Sequence, residues 1–189
     1  GRVQVPANRL IRLGTRASAL ARWQADWVAA QLRQLGVDVG LVPITTRGDR
    51  DLAPIGTIGQ PGLFTKEIQR ALLDGRIDLA VHSLKDLPTE PVPGLGLAAV
   101  PLRESPWDAL VSRHGQRLEE LPGGAMVGTG SLRRRAQLLH VRPDLRPHAV
   151  RGNVDTRLGK LEAGQFDALV LAEAGLRRLG LERRITQVL

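Results

Sequence analysis

Short apolar runs alternate with amphipathic stretches along most of the chain, as in a sheet covered by helices. Residues 10–14 predict a first strand, and Ser18 after it is a suitable helix N-cap. The next apolar side chains recur at helical spacing until Gly36: Leu20, Trp23, Trp27, Val28, Leu32 and Leu35. This stripe predicts an amphipathic helix that buries both tryptophans in the core.

Two more strands and a helix are predicted in the first half of the chain. Residues 37–46 predict a second strand, residues 64–73 a helix ended by Gly75, and residues 78–83 a strand buried on both faces. Between them, residues 48–62 are rich in glycine and proline. They predict a long loop, of a length that is often functional.

The same pattern starts again after a proline-rich break at residues 88–93. Four strands are predicted there, at residues 108–111, 125–127, 148–150 and 167–171. Asn153 is predicted to cap a helix over residues 154–163. Because the pattern occurs twice, we predict two α/β domains, with domain 1 over residues 1–102 and domain 2 over residues 103–189.

Composition narrows the choice of partner. The chain has 27 Lys and Arg against 19 Asp and Glu, a net charge of +8, which favours an anionic partner. Nucleic acid fits that charge, but aromatic residues make up only 3% and tyrosine is absent, which disfavours a base-stacking surface. Cysteine is also absent and the four histidines have no paired helical spacing, so we expect no disulfide and no protein-held metal.

The apolar runs are too short to span a membrane, and the chain does not start with a signal-peptide pattern. We therefore expect a cytoplasmic protein with no membrane partner, and we expect it to be a monomer.

Arginines are concentrated where predicted strands end. In an open parallel sheet the carboxyl ends of the strands form the usual ligand site, because loops and helix N-termini converge there. Ser131 is a suitable helix cap, yet Arg133, Arg134 and Arg135 fill the first turn after it, where their charge opposes the helix dipole. An anion bound to guanidinium groups and backbone N–H groups would explain this arrangement, and a solvated helix face is the alternative. The pair Gly128 and Gly130 resembles the start of a dinucleotide fingerprint that lacks its third glycine.

A second such junction surrounds Asn153, with Arg151 before the cap and Arg157 one turn into the helix. The planar fork of arginine suits carboxylates, so several separate arginines indicate a small molecule that carries several carboxylates. Asp86 is an acid that follows an apolar strand among these cations. It is either a salt-bridged loop acid or a group that stabilises a cation or an N–H donor in a reaction. His82 is interpreted as a core histidine.

Seven segments, in order and over nearly the whole chain, resemble the porphobilinogen deaminase family, also called hydroxymethylbilane synthases. They are residues 11–18, 46–49, 62–67, 80–88, 127–134, 151–157 and 174–180. The resemblance implies an enzyme of tetrapyrrole and heme biosynthesis that condenses four porphobilinogen units and releases ammonia at each step. It also implies two periplasmic-binding-protein-like (type II) domains flanking a cleft. Porphobilinogen and the growing oligopyrrole are the partners that the resemblance implies.

The resemblance also implies the roles of single residues. Asp86 matches the family's catalytic aspartate, which holds pyrrole N–H groups and stabilises the cation left when ammonia departs. The residues that match the family's carboxylate-binding set are Arg16, Ser18, Lys85, Thr129, Ser131, Arg133, Arg134, Arg151, Arg157 and Arg178. The family's cofactor, dipyrromethane, is carried on a cysteine of a third domain.

The chain departs from the family pattern at two points. The lysine expected before the Gly-Leu-Phe motif is missing from residues 59–62, and the cysteine that would carry dipyrromethane is absent. We therefore expect a truncated or partial form, or a natural two-domain relative, without the third domain and without the segment that returns to domain 1. Two other functions stay open: a non-catalytic two-domain module that binds an anionic ligand, and a nucleic-acid-binding protein.

Overall fold

The computed structural model describes residues 10–45 and 65–189. The chain forms two compact units, Gly1–Val100 and Pro101–Leu189, and each has its own β-sheet. The predicted boundary at residues 102–103 and the predicted cleft stay predictions. The loop over residues 48–62, with the segment where the family's lysine is missing, lies outside the described residues, as do Thr46 and Phe64.

Unit 1 contains a three-stranded sheet in the order β2-β1-β3 in which every pairing is parallel. Its strands are β1 (Ile11–Thr15), β2 (Val39–Pro43) and β3 (Leu79–Ala80), and the α-helices among its described residues are α1 (Ala19–Gln34) and α2 (Lys66–Leu73). The predicted cap is confirmed, because the Ser18 hydroxyl accepts a hydrogen bond from the backbone N–H of Ala21 at 3.4 Å. Gly36 follows the helix with φ 80°, a conformation that favours glycine.

The predicted strand over residues 78–83 is wrong in length and in burial. Only Leu79 and Ala80 pair with β1, and both are half-buried. Two further backbone bonds join this segment to β1: the N–H of Asp78 donates to the carbonyl of Arg12 at 2.9 Å, and the N–H of Val81 donates to the carbonyl of Gly14 at 3.2 Å. The chain then leaves the sheet and forms a 3-10 turn over Leu84–Asp86, and the side chains of His82, Ser83 and Asp86 line a pocket instead of packing against a second layer.

The predicted burial of both tryptophans in α1 is also wrong. Trp23 is 38% and Trp27 41% exposed, whereas Ala25 and Ala29 are fully buried against Leu13 of the sheet. Small side chains on the inner face allow the helix to lie close to the strands, and the bulkier tryptophans lie at its margin. Helical spacing identifies an apolar face but does not fix which part of it touches the sheet.

Replacing Ala29 with leucine therefore tests the observed packing. We expect Ala29→Leu to lower the free energy of unfolding by about 1–3 kcal/mol, because there is no space for three more carbon atoms. Ala30→Leu is the matched control, since Ala30 is exposed on the same helix and the substitution should change stability by less than about 0.5 kcal/mol. Urea unfolding followed by tryptophan fluorescence measures both, and equal losses would contradict the observed orientation of the helix.

Unit 2 contains a five-stranded mixed sheet in the order β6-β5-β7-β4-β8. The strands are β4 (Asp108–Ser112), β5 (Met126–Gly128), β6 (Arg146–His148), β7 (Ala168–Ala172) and β8 (Gln187–Val188). Strand β7 is parallel to β5, and β5 to β6, but β4 is antiparallel to both β7 and β8. The four predicted strands are confirmed with shifts of up to two residues, and the parallel arrangement holds for three of them.

Strand β7 is the centre of this sheet, with a separate core on each face. Ala168 and Val170 belong to one buried cluster, and Leu169 and Leu171 belong to the other. Helix α3 (Leu132–Val141) contributes to the first cluster, while α4 (Val154–Glu162) and α5 (Glu173–Arg178) contribute to the second. The prediction of a sheet with helices on both faces is therefore confirmed in this unit.

Both predicted helix caps of unit 2 are confirmed. The Ser131 hydroxyl accepts from the N–H of Arg134 at 3.4 Å, and Asn153 Oδ1 accepts from the N–H of Thr156 at 3.0 Å. Each cap immediately follows a strand of the parallel part of the sheet, so both helices begin at the same edge. Within residues 10–45 and 65–189, no helix has the length and apolar character needed to cross a bilayer.

Candidate functional site

A small, open pocket lies at the carboxyl ends of β1 and β3 in unit 1. Strands β1 and β3 are parallel neighbours, so the loops that follow them meet at one edge of the sheet. The pocket is lined by Arg16, Ser18, Leu20, Ala21, Gln24, Val81, His82, Ser83 and Asp86. It brings together three of the predicted site residues: the cation of Arg16, the hydroxyl group of Ser18 and the carboxylate of Asp86, which is the only carboxylate among the lining residues.

Hydrogen bonds fix the walls of this pocket. The buried Thr15 hydroxyl donates to the carbonyl of Ala21 at 3.1 Å, which ties the end of β1 to the first turn of α1. Ser83 and Gln24 exchange side-chain hydrogen bonds at 3.1 Å, which ties the end of β3 to the same helix. The N–H of Asp86 donates to the carbonyl of Ser83 at 2.9 Å. The backbone under Asp86 is therefore held, while its carboxylate is exposed.

Lys85 lies beside Asp86 in the same 3-10 turn and is exposed. It is not one of the residues that line the pocket, so the structure does not bring it into the group formed by Arg16, Ser18 and Asp86.

The interpretation of His82 as a core residue is wrong. Its side chain is half-buried and lines the same pocket as Asp86 and Arg16. Burial lowers the pKa of His82 below its ordinary value of 6.5; the negative charge of Asp86 acts in the opposite direction, and the positive charge of Arg16 lowers it further. The surroundings of His82 thus disfavour the charged form of its imidazole.

This shift predicts a pH dependence of stability. Since the pKa of His82 is lower in the folded chain, the unfolded chain binds the proton first, and stability falls as pH decreases below 6.5. We expect His82→Gln to remove this contribution, so that the variant loses less stability between pH 7.5 and pH 5.5 than the original protein does. Thermal unfolding at a series of pH values measures the difference, and parallel curves would contradict it.

In unit 2 the predicted site residues follow β5, β6 and β7 along the chain. Thr129, Ser131, Arg133 and Arg134 follow β5; Arg151 and Arg157 follow β6; Arg178 lies at the end of α5 after β7. The loops after β5 and β6 lie close together, since a Cβ atom added to Gly130 would lie 3.2 Å from the carbonyl oxygen of Val150.

Both hydroxyl groups after β5 support the loop itself. Thr129 is buried, and its hydroxyl accepts from the N–H of Ser131 at 3.2 Å. Its own N–H donates to the carbonyl of His148 at 2.9 Å, which joins the ends of β5 and β6. Ser131 in turn caps α3. The two residues thus determine where the arginines of the first helical turn lie.

Asp108 lies against two of the predicted site residues, a contact that the sequence did not reveal. Its carboxylate accepts from Arg134 Nε at 2.9 Å and from Arg133 Nη2 at 2.8 Å. Burial alone would raise the pKa of Asp108, but the hydrogen bonds and charges of Arg134 and Arg133 outweigh it and hold the pKa below 3.8. The charge that opposes the dipole of α3 is therefore partly neutralised from within the protein.

The junction after β6 is held by backbone contacts. Arg157 Nε donates to the carbonyl of Gly152 at 2.8 Å, and Lys160 Nζ donates to the carbonyl of Arg151 at 3.2 Å. Gly152 has φ 109°, and a Cβ atom there would lie 2.7 Å from Thr156, so only glycine fits this turn. Arg151 is exposed, whereas Arg157 and Arg178 are half-buried.

Acidic and histidine side chains do not gather elsewhere in a way that suggests a metal. Across residues 10–45 and 65–189, no group of three or more His, Asp or Glu residues is placed to hold a metal ion. The described site residues offer guanidinium groups, the ammonium group of Lys85, hydroxyl groups, one imidazole and one exposed carboxylate.

Solved structures of similar fold include bacterial binding proteins. A candidate lipoprotein from Actinomyces odontolyticus and a candidate methionine-binding lipoprotein from Bacillus subtilis each align with a TM-score of 0.55. Their sequences are 18% and 14% identical, and each alignment covers 95% of this chain and 77% of the other. This similarity confirms the periplasmic-binding-protein-like fold.

Two curated relatives are much closer in sequence. The porphobilinogen deaminase of Syntrophotalea carbinolica is 56% identical over 186 residues, and that of Pelobacter propionicus is 54% identical over 184 residues. These alignments cover 97% and 96% of this chain but 59% of each relative. The chain therefore spans about three-fifths of the length of these relatives.

Residues 11–189 match the family model described as "Porphobilinogen deaminase, dipyromethane cofactor binding domain". The match includes both units and all the predicted site residues from Arg16 to Arg178. On this evidence the chain belongs to the porphobilinogen deaminase family.

Proposed function

We propose that the chain supplies the substrate-binding and catalytic residues of a hydroxymethylbilane synthase, which condenses four porphobilinogen units with release of ammonia. One observation carries the proposal: in a chain of this family, the exposed carboxylate of Asp86 shares a single pocket with Arg16 and Ser18. An acid placed beside a cation and a hydroxyl group fits a substrate that carries both N–H donors and carboxylates.

The donor set fits dipyrromethane as well as porphobilinogen. Each pyrrole ring carries acetate and propionate side chains, which guanidinium and hydroxyl groups bind, and a ring N–H, which a carboxylate binds. The residues proposed to hold these groups are Arg16, Ser18, Lys85, Thr129, Ser131, Arg133, Arg151, Arg157 and Arg178, whereas the guanidinium of the remaining predicted residue, Arg134, is bonded to Asp108. When bound, dipyrromethane supplies the pyrrole chain that is extended.

The role of Asp86 follows from charge. When the C–N bond of the aminomethyl group breaks, ammonia takes the electron pair and the remaining pyrrole unit carries a positive charge. At an effective dielectric constant of 20, a carboxylate 4 Å away would stabilise that charge by about 4 kcal/mol. Arg16 in the same pocket is proposed to bind a substrate carboxylate.

The proposal is tested with the complete gene product. It is incubated with porphobilinogen while ammonia release is measured, and the product is oxidised and assayed as porphyrin. Intact mass of the protein shows whether a dipyrromethane group is attached. Absence of ammonia release from a folded protein that carries dipyrromethane would overturn the proposal.

A binding function without chemistry is the second candidate, because one of the aligned structures is a candidate methionine-binding lipoprotein. Calorimetry with porphobilinogen distinguishes the two functions, since binding without ammonia release would favour the second. We also propose that the protein is a monomer, lies in the cytoplasm and has no nucleic-acid partner. Light scattering tests the monomeric state, and its repetition with an oligonucleotide tests the absence of nucleic-acid binding.

A further inference from the structure

The two adjacent arginines at the start of α3 have different surroundings. Arg134 is 11% exposed, and Arg133 is 60% exposed. Arg134 bonds to Asp108 through Nε and Nη2, at 2.9 and 2.8 Å, and its Nη1 donates to the carbonyl of Val170 at 3.2 Å. The Nε, Nη1 and Nη2 atoms of Arg134 are thus all bonded to acceptors within the protein.

Arg133 is held by two acceptors and still reaches the surface. Its Nη2 donates to Asp108 at 2.8 Å and its Nη1 to Gln137 Oε1 at 2.7 Å. A guanidinium group has five N–H donors, and these two contacts use two of them. The remaining donors are available to a carboxylate that approaches from solvent.

Topology brings Asp108 to these arginines. It is the first residue of β4, and it is paired with Ala172, the last residue of β7, because the two strands are antiparallel. The beginning of β4 therefore lies at the edge where β5, β6 and β7 end. A parallel β4 would place its first residue at the opposite edge of the sheet.

From these contacts we infer that Asp108 is a positioning residue: its carboxylate anchors Arg134 and fixes the exposed guanidinium of Arg133 for a substrate carboxylate. The inference deepens the proposed function and rests on it, since the carboxylate is that of porphobilinogen or of the growing oligopyrrole. Each carboxylate oxygen of Asp108 serves one arginine, so loss of its charge releases both guanidinium groups.

Asp108→Asn in the complete gene product tests the inference. We expect KM for porphobilinogen to rise about tenfold, the effect of weakening one charged hydrogen bond, while kcat changes by less than about threefold. Asp144→Asn is the matched control, because it removes the carboxylate of another close pair in unit 2, Arg142 Nη2 to Asp144 Oδ2 at 2.6 Å, that includes no proposed site residue. An unchanged KM in Asp108→Asn, or an equal rise in Asp144→Asn, would overturn the inference.

A double-mutant cycle separates positioning from general loss of structure. Arg133→Gln should raise KM without lowering the midpoint of urea unfolding, and adding Asp108→Asn to it should raise KM little further, because the two residues act on one contact. Fully additive effects would count against a role through Arg133. If Asp108→Asn does not fold, Asp108→Glu replaces it; this variant keeps the charge but displaces the arginines, and a KM equal to that of the original protein would overturn the inference.

An activity-independent measurement keeps this inference distinct from the proposed function. In ¹⁵N spectra of arginine side chains, the Nε–H signal of Arg134 should exchange slowly with solvent and should lose that protection in Asp108→Asn but not in Asp144→Asn. If the protein releases no ammonia yet shows this pattern, the proposed function fails while the contact between Asp108 and the arginines stands. If it releases ammonia and neither KM nor exchange changes in Asp108→Asn, the inference fails alone.

Discussion

Asp86→Asn is expected to lower the rate of ammonia release from porphobilinogen by about 10²–10³-fold, the usual effect of removing one group that stabilises developing charge. Asparagine has the same shape and still accepts a hydrogen bond from a pyrrole N–H, but it cannot balance a positive charge. Because the Asp86 side chain is exposed, the free energy of unfolding of the variant should lie within about 0.5 kcal/mol of that of the original protein. Single-turnover measurements of ammonia release, together with urea unfolding, give both quantities.

The control for Asp86→Asn is another acid of unit 1. Asp74 immediately follows α2, and its Oδ2 lies 3.6 Å from Arg76 Nε. It does not line the pocket that contains Asp86. Asp74→Asn removes the same charge from the same unit and should leave turnover within about twofold, because a surface ion pair contributes little. Near-normal turnover in Asp86→Asn, or an equal loss in Asp74→Asn, would refute the proposed role.

Leu169→Ala is expected to lower the free energy of unfolding by about 2–5 kcal/mol, because it leaves a cavity in the core at the central strand of unit 2. Leu169 is fully buried in β7 and packs in the same cluster as Phe166. The cavity would lie under Gly128, where the loop that carries the arginines begins. Urea unfolding measures the loss of stability, and a change below about 1 kcal/mol would contradict this account of the core.

Gly128 provides the control for this substitution. A Cβ atom there would lie 2.6 Å from Leu169 Cδ2 and 3.1 Å from Phe166 Cδ1, so Gly128→Ala alone should cost about 1–3 kcal/mol by overpacking. In the double variant, the added methyl group occupies part of the space left by the leucine. The double variant should therefore be more stable than the sum of the single effects implies, and strict additivity would show that the two residues do not share this space.

Local features of the fold were predictable from the sequence. The caps at Ser18, Ser131 and Asn153 and the turns at Gly36 and Gly75 depend on hydrogen bonds and φ values within a few residues. The family was also predictable, because its motifs are runs of adjacent residues, and the model match over residues 11–189 confirmed it. The roles assigned to Asp86 and to the arginines stay predictions.

Features that depend on surfaces meeting across the fold were not predictable. Helical spacing marked an apolar face in α1, but only packing on the sheet decided that Ala25 and Ala29 are buried and the tryptophans exposed. His82 was assigned to the core because it lies in an apolar segment, although β3 ends before it and leaves it beside the pocket.

Asp108 shows the same limit most clearly. It is 25 and 26 residues from the arginines that it binds, and its position depends on the antiparallel direction of β4. The sequence by itself determined the caps of three helices, which family the chain resembles, and which cations follow the strands. Only the tertiary structure decided which of those cations are held inside the protein, because strand direction and burial result from contacts between segments that are distant in the chain.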